Sequence, residues 1–91
     1  MMKDKIPFNP WSEERIKKGM KICTSRSKVY ADPRVYLVLK LPLWIVFEYL
    51  WKEEGATSKK ELIKVWKKIH PSFNIVNDHD KMVYVHFGDF K

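Results

Sequence analysis

Leu62, Val65, Trp66 and Ile69 recur three and four positions apart between Ser58 and Pro71. That spacing lays apolar side chains along one stripe of a helix, which predicts a helix over 58–69. Ser58-Lys59-Lys60-Glu61 forms a capping box at its start, and Pro71 ends it. A second helix is expected over 10–18, where Asn9 is placed to cap and Pro10 takes the first helical position. Glu13 and Glu14 fall in its first turn and Lys17 and Lys18 in its last, both matched to the helix dipole. Gly19 supplies its stop. Residues 43–53 are apolar nearly all round and closed by Gly55, which favours a buried helix over a strand.

Alternation replaces the helical period elsewhere. Val83, Val85 and Phe87 share one side of an expected strand over 82–88. Residues 35–41 are β-branched and apolar up to Pro42, and 20–26 leaves the first helix as a further short strand. Ala31-Asp32-Pro33 marks a turn, 74–80 reads as a polar loop, and 1–8 as a loosely held, flexible tail. Helix, strand, strand, helix, helix, strand predicts a single α+β domain over 9–91. Its expected form is a small curved sheet or partly open barrel flanked by about three helices.

Ninety-one residues leave room for one modest core, and 45% apolar content with 14% aromatic residues argues against a disordered chain. Lys and Arg number 18 against 11 Asp and Glu, a net charge of +7. An excess of that size on so small a body favours polyanionic partners, nucleic acid first. Cys23 is the single cysteine, so no internal disulfide and no cysteine zinc site can form, and a cytoplasmic setting is expected. The longest apolar run, 41–50, is half a membrane span and contains Pro42 and Glu48, so no membrane association is expected. His70, His79 and His86 are scattered over different elements without a ligand spacing, and neither metal nor cofactor is expected.

Gly19-Met20-Lys21-Ile22-Cys23-Thr24-Ser25-Arg26 carries the most specific signal. It resembles the signature of the ASCH domain in the PUA-like superfamily, Gly-x-Lys-x-x-Glu/Thr-x-Arg after a helix. Trp51 to Gly55 followed by Ser58, Glu61, Leu62 and Trp66 is similar to that family's second block, and 83–87 to its closing strand. The resemblance implies a PUA-like fold and an RNA- or nucleotide-binding module with a basic cleft. Some small bacterial relatives are amidohydrolases that remove acetyl from N4-acetylcytidine with a Lys, a Thr and a Glu. Lys21 and Thr24 match the first two positions and Glu54 the third, with Glu53 one residue away as competitor. Gly19, Arg26, Trp11 and His86 are the further candidate ligand-binding residues. Residues 27–42 lack the Gly-Asp turn and hairpin usual in the family, so this chain resembles a shortened member. An uncovered sheet edge would follow, and a homodimer that covers it is one expected consequence.

The residues themselves set conditions on such a site. Strand alternation puts Thr24 and Arg26 on one face and Lys21 on the other, so a shared site needs a bulge or a Lys21 still in the turn. Thr24 is a poor nucleophile until a base takes its proton, which a desolvated Lys21 can do, with Glu54 passing it to a leaving group. Arg26 offers a planar fork to a phosphate or carboxylate, or can pair with Glu54. Cys23, on the opposite face from Thr24, and Trp44, Trp51 and Trp66, at apolar helix positions, are expected in the core. Binding of RNA or a nucleotide is the favoured expectation, because a catalytic pocket needs walls that exclude water and the missing hairpin removes one, with deacylation of an acylated nucleoside as the alternative.

Overall fold

The computed structural model describes residues 5–91. Its elements run α1 (Pro10–Lys17), β1 (Cys23–Arg26), β2 (Val35–Pro42), α2 (Leu43–Tyr49), α3 (Lys59–Ile69), α4 (Ile75–Asp78) and β3 (Met82–Gly88). The fold is α+β, with one antiparallel three-stranded sheet in the order β1-β3-β2. The last strand in sequence is central, and β1 and β2 are both edges. Closing a barrel takes more strands than this. The sheet stays open.

Local chemistry accounts for the ends of α1. The Asn9 side chain accepts from the Ser12 N–H at 2.8 Å, and Gly19 turns the chain out at φ +74°. The Met20 and Lys21 N–H groups then both bond back to the Arg15 carbonyl, which folds the next residues against the helix. At α3, Ser58 accepts from the Glu61 N–H, while the Glu61 carboxylate receives the Thr57 N–H, one residue before the expected reciprocal partner.

The core lies between the sheet and α2 and α3. Cys23, Val83 and Val85 from the sheet meet Leu43, Val46 and Phe47 from α2 and Leu62 from α3. Phe47 stands edge-on to Trp66 at 6.0 Å and to Phe73 at 5.8 Å, the geometry that aromatic quadrupoles favour. Burial pushes the Cys23 thiol strongly upward, with the Glu54 charge adding to it, so this sulfur is an inert packing group.

Four expectations are corrected by the structure. The run over 43–53 is helical only to Tyr49, because the chain then turns so that the Glu53 carbonyl can accept the N–H groups of Ile22 and Cys23. For the same reason β1 begins at Cys23 rather than at 20, and Lys21 pairs with Glu54 in an isolated bridge. The expected loop over 74–80 contains a turn of helix, capped by Asn74 on the Val76 N–H at 2.9 Å, giving four helices among the described residues. Trp44 is 41% exposed rather than in the core, whereas Trp51 and Trp66 pack partly buried against it.

The expected tail over 1–8 falls partly outside the described residues, but 5–8 is fastened down. Ile6 is buried with Ile16 and Phe90, and its N–H donates to Asp32 Oδ2 at 2.9 Å. Arg34 forks onto the same carboxylate, with Nη2 2.6 Å from Oδ2. The side-chain bond from Arg34 holds the Asp32 carboxyl far below its usual range, against an opposing push from burial. A lowered folded-state pKa contributes stability above the unfolded value, about 4, and that contribution is lost as pH falls below it. The unfolding midpoint of the native protein is therefore expected to drop as pH goes from about 5 to about 2, and that of Asp32→Asn to drop less over the same window. Equal slopes would show that this carboxylate does not fasten the segment.

Candidate functional site

Stopping α1 at Gly19 and docking the following residues on 53–54 leaves an opening between α1, β1, α3 and the start of β3. It is a cleft of about 500 Å³. Its lining combines the buried polar residues Lys21, Thr24, Ser25 and Glu54 with Trp11, Trp66 and Leu62.

Lys21 and Glu54 form the centre of the polar group. Lys21 Nζ donates to Glu54 Oε1 at 3.0 Å and to the Glu54 carbonyl, also at 3.0 Å. The second carboxylate oxygen, Oε2, accepts from Ser25 Oγ at 2.6 Å. Lys21 is 5% exposed and Glu54 3%. Such a buried pair rarely stabilises a fold more than apolar residues of the same volume would, so it is weak evidence for a purely structural role. Gly55 makes the approach possible. At φ +98°, a Cβ there would stand 2.9 Å from Arg15 Cβ and 3.0 Å from Lys21 Cβ.

Thr24 also lines the cleft but stands outside that chain of bonds. Its Oγ1 accepts from Arg26 Nε at 3.2 Å, which leaves its own proton free to donate. Lys21 reaches the cleft from the turn before β1 rather than from the strand itself, which is how strand alternation is circumvented. Arg26 does not pair with Glu54. Its Nη2 donates to the Pro7 carbonyl at 2.7 Å and its guanidinium lies 5.4 Å from the Phe8 ring centre.

The other candidates divide. Trp11 is half-buried on the cleft wall, with the Arg15 guanidinium 5.0 Å from its ring centre. His86 is corrected: it is fully buried, off the cleft and against Tyr30, where Nε2 accepts from the Tyr30 N–H at 2.9 Å and Nδ1 faces the Tyr84 carbonyl at 3.0 Å. Those two bonds fix a neutral ring with its proton on Nδ1 and leave no nitrogen for a ligand. Gly19 is also off the cleft wall and serves only the turn. Glu53 contributes its backbone carbonyl to the docking of β1, and Glu54 is the acid that lines the cleft.

Ser25 was not among the candidates. Its signal was alternation: it shares the parity of Lys21 and Cys23, four and two residues earlier. His70 and Lys81, which line the mouth of the cleft, come from separate elements with no shared motif. Among the described residues, no group of three or more His, Cys, Asp or Glu can hold a metal ion, and no helix is long and apolar enough to cross a membrane. No family model, curated protein or solved structure matches the chain.

Proposed function

We propose that this protein is a small amidohydrolase of ASCH or PUA-like type that deacylates N4-acetylcytidine or a similarly acylated nucleoside. The observation that carries this reading is the buried Lys21–Glu54–Ser25 arrangement in a cleft that Thr24 also lines. Acid–base chemistry needs titratable groups within hydrogen-bond reach of one another in a site shielded from water, and α3 and Trp11 supply that shielding where the sheet is open.

In the proposed reaction Thr24 Oγ attacks the acyl carbon. Its proton passes to Lys21 as Lys21 hands one to Glu54, and Glu54 returns it to the departing N4 amine as the C–N bond breaks. Water then hydrolyses the threonyl ester to the free acid, regenerating the hydroxyl. Lys21 bridges to Glu54 throughout, and Ser25 holds the carboxylate's other oxygen in place. A positioned acid–base group of this kind contributes about 10²–10⁴ in rate.

A second reading, binding of RNA or a nucleotide without turnover, is favoured by the net charge of +7 and by Arg26 and Lys81 on the cleft lining. Incubation with N4-acetylcytidine, followed by chromatography, separates the two. Cytidine and acetate in equal amounts are expected. No product, together with salt-sensitive binding of single-stranded RNA, would replace the hydrolase with the binding module.

A further inference from the structure

We propose that the mouth of the cleft is a phosphate seat formed by Arg26, His70 and Lys81, so that the ligand is a nucleotide unit rather than a free nucleoside. This rests on the reading of the cleft as a nucleoside site and names the substrate class more closely.

Three elements deliver the three groups. Arg26 ends β1, Lys81 immediately precedes β3, and His70 caps the C-terminal end of α3. Antiparallel pairing sets Arg26 opposite Tyr84, three residues beyond Lys81, which brings both to the same end of the sheet. All three line the one cleft. The His70 ring is held by Trp66, with centroids 4.8 Å apart and planes 39° from each other. Burial lowers the His70 pKa first, and the charges of Lys81 and then Arg26 lower it further.

The donors at this end are largely uncommitted. Among the described residues, Lys81 Nζ and both ring nitrogens of His70 have no hydrogen-bond partner, and Arg26 uses Nε and Nη2 but not Nη1. Two acids also line the cleft: Glu54, which is paired with Lys21, and Asp78, whose Oδ2 accepts the Asn74 N–H at 2.9 Å. With Glu54 neutralised by Lys21, two cations and an imidazole face the one remaining carboxylate and make an anion site, and Arg26 offers the planar fork that phosphate oxygens match. Because Arg26 Nε also touches Thr24 Oγ1, the seat adjoins the proposed nucleophile. A base resting against Thr24 and Glu54 would point its phosphate outward to this cluster.

The test follows the His70 imidazole by proton NMR, with His79 and the buried His86 as internal references. Inorganic phosphate is expected to raise the His70 pKa, as a nearby anion favours the imidazolium, and Lys81→Gln is expected to remove most of that rise. Cytidine 5′-monophosphate is expected to bind at least about tenfold more tightly than cytidine at low salt, an advantage that shrinks as salt is added. A short oligocytidylate that binds no better than the mononucleotide assigns the seat to a free nucleotide, and tighter binding assigns it to an RNA chain. If phosphate moves His70 but neither cytidine nor its monophosphate binds, the seat stands and the nucleoside reading fails. If phosphate leaves His70 unmoved, or the two cytidine ligands bind equally, there is no phosphate seat.

Discussion

Lys21→Ala is expected to destabilise the protein by about 3–5 kcal/mol, because it leaves the Glu54 carboxylate buried without its cation. Glu54 is 3% exposed, and Lys21 Nζ supplies the bond to Oε1, leaving only Ser25 on the other oxygen. A small domain holds about 5–15 kcal/mol in total, so this one change takes a large share. Replacing both partners with apolar residues of similar volume, as in Lys21→Met with Glu54→Leu, removes the uncompensated charge and is expected to return most of the loss. Urea unfolding of the two singles and the double measures the coupling. The double variant should fold and be inactive on an acylated nucleoside, the pattern of a pair maintained for chemistry. A double variant as unstable as the singles would mean that the pair is integral to packing.

Gly55→Ala is expected to cost more than Gly19→Ala, although both glycines have positive φ. At Gly19 nothing lies within 4 Å of the added methyl, so only the left-handed backbone is penalised, by about 1–2 kcal/mol. At Gly55 the same penalty is joined by collisions with Arg15 Cβ and Lys21 Cβ, and overpacking adds about 1–3 kcal/mol. The relief available is to push Lys21 away from Glu54, so the second variant should also lose activity out of proportion to its stability. Thermal unfolding of both, with turnover measured well below the midpoints, checks this. Equal losses at the two positions would contradict the close packing of Gly55 on Lys21.

The helices were legible because their signals are local. Asn9-Pro10 and Gly19 bracket α1, and Ser58 with the stripe through Leu62 and Trp66 fixes α3. The strands were legible as alternation, but their pairing was not, since nothing in 82–88 says that it lies between the other two. The end of α2 was overrun for a physical reason. Leu50 and Trp51 continue the apolar run and 50–53 holds no helix breaker, so the local pattern does not stop at Tyr49, and the turn that follows brings the Glu53 carbonyl to the N–H groups of Ile22 and Cys23. That same turn carries Glu54 to Lys21, so the contact at the heart of the site arises where local pattern gives no guidance. His86 misled because an apolar strand suggested a half-buried ring near a pocket, whereas Tyr30 and Tyr84 use both of its nitrogens. The mouth residues His70 and Lys81 were invisible for want of any shared sequence neighbourhood.

The most direct test of the account is the rate of acetate release from N4-acetylcytidine by the native protein and by Thr24→Ala, with thermal unfolding of both recorded. Native protein is expected to release acetate and Thr24→Ala to lose at least about 10²-fold in rate, a deficit that unfolding does not explain. Thr24→Ser, which keeps the hydroxyl, should recover a measurable part of it. Unchanged release by a folded Thr24→Ala protein would contradict the proposed role of this cleft.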